Sequence, residues 1–354
     1  MAQAVHGDGT LSAKTKELIA TALGVAARCT GYLGFHAQAC ARTGVTHQEF
    51  EEILKSPSTW AAAAGGRALP EQIERRSPFS LNYHSLWRHR PAGKQRKGNS
   101  VEILGIDVGG TGIKSARVDT ATGKLLSERH RVVTPRPATP DAVLEALREV
   151  LRHHDWRGPV GMGFPAAIQH GVVRTASNID KSFIGLPISD YFSRGTGNRF
   201  FTANDADVAG LAEMRFGAGQ GHSGVVLIVT IGTGLGTALF SNGQLLPNTE
   251  LGHVFLENGQ EAERYASEAV RVTKELKWKD WGKRLDMYLC TMEFLLWPDL
   301  IVLGGGVSAK LEKFGSMLTT KAPVVAASFL NQAGIVGAAL FAEQALRQPL
   351  PASK

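Results

Sequence analysis

The sequence predicts an α/β protein of two duplicated lobes, preceded by a short all-α segment. Three observations carry this expectation. From residue 101 to about 346, apolar runs of strand length alternate with amphipathic helical runs. A strand, a glycine turn and a second strand occur once in each half, with Thr111 and Thr233 122 residues apart. Ahead of residue 56, apolar residues fall at helical spacing.

The elements follow in order. Residues 11–27 place Leu18, Ile19, Ala22 and Leu23 on one helical face, and Gly44 closes a second helical run. Thr46 and Glu49 form a capping box for a third helix over 47–54, so residues 1–56 read as a helical segment. Residues 57–100 lose periodicity to Pro, Gly and Arg, with Trp60 and Trp87 among polar neighbours, and read as a basic linker. Between 67 and 98 stand eight basic and two acidic residues, which carry six of the formal net charge of +7. Such a block is a solvated linker or a contact for a polyanion. The unit over 101–346 has strands at 101–107 and 113–118, a helix at 140–153, strands at 159–164 and 199–203, and a helix at 206–216. Strands at 225–230, 236–240 and 300–303 and a helix at 335–344 complete it, and 347–354 is a tail.

Composition narrows the class. At 354 residues, 43% hydrophobic and 20% charged, the chain is long enough for two or three domains and too apolar for wholesale disorder. Three cysteines, at 29, 40 and 290, are too few for a disulfide scaffold and suit a reducing compartment. The first fourteen residues lack the apolar core of a signal peptide. The most apolar stretch, 224–240, is broken by glycines and threonines and falls short of a membrane span. A cytoplasmic protein with no membrane partner is expected.

Candidate chemistry gathers at the two turns. In Asp107-Val-Gly-Gly-Thr-Gly-Ile-Lys114, Gly109 and Gly110 let backbone N–H groups approach a phosphate, Thr111 adds a hydroxyl, and Asp107 at the strand end suits Mg²⁺, held directly or through water. The turn around Thr230, Gly232, Thr233 and Gly234 repeats the design in the second half. Gly304, Gly305 and Gly306 follow a third strand and leave room for a nucleotide base or ribose. Asn204-Asp205 closes the strand over 199–203; Asp205 is either a cap of the following helix or a general base toward a substrate hydroxyl. Glu250 and His253 lie three residues apart, with Glu263 soon after, a set suited to sugar hydroxyls or to an exposed loop.

The motifs Asp107-x-Gly-Gly-Thr, Asn204-Asp205, Glu250-x-Gly-His253 and the Leu-Gly-Gly-Gly turn at 303–306 resemble the ROK group of sugar kinases and repressors, over about residues 101–345. The resemblance implies an actin-like, hexokinase-type fold of two lobes. It implies Asp205 as catalytic base, Asn204, Asp205, Glu250, His253 and Glu263 on the sugar, and Gly109, Gly110, Thr111, Thr233 and Gly234 around the phosphoryl donor. Most members carry a Cys-x-Cys-Gly-x-x-Gly-Cys zinc loop after the histidine. Residues 254–262 contain no cysteine, so no zinc is expected. Lacking that loop while keeping Glu263-x-Tyr-Ala-Ser, the chain looks like the polyphosphate glucokinase (glucomannokinase-like) branch. The runs Trp278-Lys-Asp-Trp-Gly-Lys-Arg284 and Asn331-Gln-Ala-Gly-Ile-Val-Gly-Ala-Ala339 look like it as well. Phosphoryl transfer with Mg²⁺ from inorganic polyphosphate, ATP or both to glucose or mannose is therefore expected, in a homodimer. Lys114, Lys181 and the basic stretch over 88–97 are candidates for tracking a polyphosphate chain. The alternatives are a strictly ATP-dependent glucokinase and a sugar-responsive DNA-binding regulator. The regulator would need a helix-turn-helix with a basic recognition helix, which the N-terminal segment does not offer, so no nucleic acid is expected. That segment instead resembles a truncated alkylhydroperoxidase D / carboxymuconolactone decarboxylase group. Glu17, Cys29 and His36 fit its spacing, but Tyr32 replaces the second cysteine, and Cys40 lies about 16 Å along a helix from Cys29. No peroxidase activity is expected.

Overall fold

A computed structural model of the chain describes residues 101–347 other than 178, and positions 12, 14, 15, 18, 40, 43–46, 48 and 49. Glu17, Cys29, Tyr32, His36, the basic linker and the tail beyond 347 lie outside the described residues. The chain divides into two compact units, Met1–Arg96 and Lys97–Lys354. In the first, the expected capping box is formed. The Thr46 N–H donates to Glu49 Oε2 at 2.9 Å and the Glu49 N–H to Thr46 Oγ1 at 3.3 Å, while Lys14 Nζ lies 2.7 Å from Glu49.

The second unit has two lobes of one design. Its first lobe opens with β1 (Glu102–Val108), an apolar strand of the sequence EILGIDV that turns through glycines into β2 (Ile113–Asp119). Two short strands follow, β3 (Lys124–Leu125) and β4 (His130–Val132). Helix α1 (Pro140–His153) starts on Pro140 with Thr139 as its cap and buries Val143, Leu144, Leu147, Val150 and Leu151 on one face. Strand β5 (Val160–Phe164), the separate hairpin β6 (Ile168–Gln169) and β7 (Val172–Val173), helix α2 (Ile188–Thr196) and β8 (Phe200–Asn204) complete the lobe. The sheet runs β3-β2-β1-β5-β8, with β4 also on β2. Beyond the next helix, α3 (Asp205–Phe216), the plan repeats. Strands β9 (Val225–Ile231), β10 (Leu235–Ser241), β11 (Gln244–Leu246), β12 (Leu300–Gly304) and β13 (Val324–Ala326) run β11-β10-β9-β12-β13. In both sheets the first strand of an antiparallel hairpin also pairs parallel with a later strand. This is the duplication that the two turns predict.

Between β11 and β12 lie α4 (Ala262–Ala266), α5 (Glu268–Thr273) and α6 (Trp278–Leu296). Helix α6 is not among the expected elements, yet its Trp281, Leu285, Tyr288, Leu289 and Met292 form the heart of the second core. The Trp281 indole N–H donates to the carbonyls of Ala266 and Ser267 at 3.0 and 3.1 Å, fixing the α4–α5 junction. The last helix, α7 (Ala333–Arg347), returns to the first lobe and packs on β1, β5 and α3. Three glycines permit this: a Cβ at Gly105 would meet the Ile335 carbonyl, one at Gly161 the Ala338 carbonyl, and one at Gly337 the Val208 carbonyl. Helices α3 and α7 thus lie side by side, and the cleft opens at the ends of the strands that precede them.

Candidate active site

The expected residues converge. Asp107, Gly109, Gly110, Thr111, Lys114, Asn204, Asp205, Thr230, Gly232, Thr233, Gly234, Glu250, His253, Glu263, Gly305 and Gly306 line one cavity of about 550 Å³. Gly304 lines a smaller adjoining cavity of about 170 Å³, together with Asp107, Lys114 and Asp205. Lys181, a candidate for tracking a polyphosphate chain, opens a short 3₁₀ turn, Lys181–Phe183, outside the cleft lining. Arg136 and Ala166 do line it, though they sit in loops without a motif to mark them, and so does Asn331, which opens the run 331–339 within the short 3₁₀ turn Leu330–Gln332.

The glycine turns form opposite walls. In the first, the Gly109 N–H donates to Gly112 O at 3.1 Å; in the second, the Gly232 N–H donates to Gly234 O at 3.0 Å. Open space lies where a Cβ would stand at Gly110 and Gly232. Gly305 has φ +79°, and a Cβ there would run into the Ile231 carbonyl. Asp107 and Lys114 face each other across the β1–β2 pair, with Nζ 3.1 Å from Oδ2.

At the floor, local structure settles which residue caps the helix. The cap of α3 is Asn204, whose Oδ1 accepts from Ala206 N at 2.9 Å and Asp207 N at 3.1 Å. Asp205 becomes the first residue of the helix, its Oδ1 accepting from its neighbour Ala206 N at 2.8 Å. It lines the cleft, yet desolvation and the nearby Asp107 charge push its pKa up to about 7 against the Ala206 N–H bond, with Glu250 and Asp207 adding to the rise. The Asn204 amide donates to Ala166 O at 3.2 Å and, over a longer 3.4 Å, to Glu250 Oε1.

The third wall is acidic. Burial raises the pKa of Glu250, partly offset by His253 and reinforced by Glu263. Glu263 Oε2 accepts from Leu235 N at 3.1 Å. His253 Nε2 stands 3.6 Å from Glu250, while its Nδ1 meets Glu261, which the motifs do not mark, at 2.5 Å. Asp207 is a second residue without a motif signal. It is 2% exposed, its Oδ2 accepts from Asn248 N at 2.8 Å, and its Oδ1 has no partner. Asn248 in turn exchanges two hydrogen bonds with Ile168 at 2.8 and 2.9 Å, joining the loop before Glu250 to the β6–β7 hairpin.

Four carboxylates, Asp107, Asp205, Glu250 and Glu263, thus share the cleft with Lys114, Arg136 and His253. A polyanion entering it needs added positive charge, and oxygen donors of this kind suit a hard divalent cation. No group of three or more His, Cys, Asp or Glu able to hold a metal occurs among the described residues.

Comparison with known proteins agrees with this geometry. The ROK family model matches residues 103–269, and the carboxymuconolactone decarboxylase family model matches residues 1–69. A polyphosphate glucokinase from Mycobacterium tuberculosis is 46% identical over 238 residues, 67% of this chain and 89% of that protein. The crystal structure of an inorganic polyphosphate/ATP-glucomannokinase from Arthrobacter sp. is 44% identical, covers 70% of this chain and all of its own, and superposes with a TM-score of 0.67. A ROK family glucokinase from Streptomyces griseus, in complex with glucose and AMPPNP, is 26% identical with a TM-score of 0.59, covering 69% of this chain and all of its own. The α/β unit therefore has the two-lobed, actin-like fold of sugar kinases, and the chain belongs to the ROK family.

Proposed function

We propose that this chain transfers a phosphoryl group from inorganic polyphosphate or ATP to the 6-hydroxyl of glucose, with mannose as a second acceptor. One observation carries the reading: Asp205, with its pKa pushed up to about 7, stands where the acidic wall meets both glycine turns. A base poised near neutrality takes the acceptor proton as the new O–P bond forms and the donor P–O bond breaks. The leaving group is polyphosphate shortened by one unit, or ADP.

The other residues bind and orient. Glu250, His253 and Glu263 hold the sugar hydroxyls, and Asn204 shares with the sugar the amide proton of its long bond to Glu250. The turns at Gly109–Thr111 and Gly232–Gly234, with Thr230 and Lys114, receive the donor phosphates, and Gly304–Gly306 with Asn331 receive the nucleoside of ATP. Asp107 would hold Mg²⁺ there, which supplies charge neutralisation at the donor. The family likeness supports a homodimer in the cytoplasm; among the described residues no helix is long and apolar enough to cross a membrane.

A donor panel tests the proposal: ATP against long-chain polyphosphate, with glucose and then mannose as acceptor. We expect both donors to work, and the apparent KM for polyphosphate to rise with salt more steeply than that for ATP. Each cation that neutralises a phosphate of a long chain releases counterions, whereas ATP presents three phosphates and binds partly through its base. Parallel salt slopes, or turnover with ATP alone, would leave the ATP-dependent glucokinase standing.

A further inference from the structure

We infer that Glu261 is a positioning residue for sugar recognition: it clasps the Nδ1 side of His253 and so turns the Nε2 side toward the acceptor. The inference rests on the reading of the cleft as a hexose site. It begins with the backbone. Residues 254–262 form a tight hairpin in which the Leu256 N–H donates to Gln260 O at 2.9 Å, the Gly259 N–H to Leu256 O at 2.8 Å, and the Ala262 N–H to Val254 O at 2.9 Å. Phe255 and Glu261 pair across it. The hairpin carries the chain back to its starting point, so Glu261 arrives beside His253 and Glu263, two residues on, reaches the cleft.

The chemistry follows from what each group can donate. A carboxylate only accepts, so the Nδ1 that meets Glu261 Oε1 at 2.5 Å carries a proton. The opposite nitrogen faces the cleft beside Glu250. The charged groups around the ring are Glu250, Glu261 and Glu263, with Arg264 on the far side of Glu261 at 2.9 Å. Burial lowers the pKa of His253, but the Glu261 hydrogen bond and the three carboxylate charges outweigh it, and the net shift is upward. The upward shift favours the doubly protonated ring, in which Nε2 also donates, beside the acceptor Glu250. A sugar hydroxyl, which both donates and accepts, fits such a row. Without Glu261 the imidazole can rotate and offer either nitrogen in either state.

The test is direct glucose binding by calorimetry to the full-length protein, beside KM and kcat for glucose and for the donor. Outer partners of this kind are worth roughly 10- to 100-fold in affinity when they orient a histidine in metal sites. For Glu261→Gln, which keeps the shape and loses the charge, we expect about a tenfold weaker glucose affinity, a matching rise in glucose KM, and donor KM and kcat within about twofold. The pH at which glucose KM begins to climb should move down in this variant, a shift that mere loosening of the hairpin would not produce. Arg264→Ala, which leaves the clasp intact, should change none of these. In a double-mutant cycle, Glu261→Gln should add little once His253→Asn is present. Unchanged glucose affinity in Glu261→Gln, an equal loss in Arg264→Ala, or additive losses in the cycle would overturn the assignment. A wild-type protein that binds no glucose would overturn the hexose reading beneath it.

Discussion

Asp205 is available for chemistry because Asn204 has taken the helix cap. On local sequence the pair is ambiguous, since both residue types cap helices well. What resolves it is the φ/ψ of residue 204, non-helical at −57°, 142°, with its side chain on two N–H groups. We predict that Asp205→Asn lowers turnover by about 10²- to 10⁴-fold while leaving the protein folded, as steady-state kinetics and a thermal melt will show. A variant that melts earlier but turns over normally would return Asp205 to a purely structural part. In the wild type, kcat/KM for glucose should fall as pH drops below about 7, where the base is protonated. Asp207 gives a second residue-scale prediction. Its pKa is pushed up to about 7 by burial, against the Asn248 N–H bond and with help from Glu250. The native state therefore holds a proton that the unfolded chain surrenders near pH 4, and stability drains away as pH rises from about 4 to 7. Asp207→Asn, which can still accept from Asn248, should stabilise by an amount on the order of 2–4 kcal/mol at pH 8 and by almost nothing at pH 4, read from urea unfolding. Equal effects at both pH values would mean that the carboxyl carries no such cost. Neither Asp207 nor Glu261 is legible in the sequence, because each matters through partners 41 and 8 residues away that no spacing rule connects.

Among the elements, helices and strands that carry a clean period are legible almost to the residue: the expected helix over 140–153 is Pro140–His153, and the strand over 225–230 is Val225–Ile231. Helix α6 shows the opposite case. Its apolar positions at 281, 285, 288, 289 and 292 have helical spacing, but tryptophans, lysines and Gly282 at its start disguise it as an irregular motif. What no local pattern reveals is that α7 serves the first lobe. The contact is made by glycines, which signal a close approach without saying to what. We predict that Gly337→Ala costs about 1–3 kcal/mol or more, because its methyl group meets the fixed Val208 carbonyl rather than a side chain that can move. Gly110→Ala, with open space at the same point, should leave the melting temperature alone and weaken the phosphoryl donor instead. If Gly337→Ala melts with the wild type, the two helices are not packed as described.

For the whole molecule, the duplicated plan explains why the site was readable at all. The cleft draws its lining from residues 107 to 331, and its glycine turns recur at matching points of two like sheets. A protein beginning at Asn99 should accordingly be soluble and phosphorylate glucose with a kcat close to that of the full chain, since the second unit starts at Lys97 and buries its own cores. A soluble but inactive product would place the first unit in the machinery. The return of α7 to the first sheet also bears on how the protein is born. A ribosome delivers β1, β5 and α3 long before α7, so the first lobe waits, its sheet uncovered where Gly105 and Gly161 await the helix, while the entire second lobe is synthesised. The nascent chain therefore lacks the packing partner of the helix that begins at Asp205 until α7 has been made.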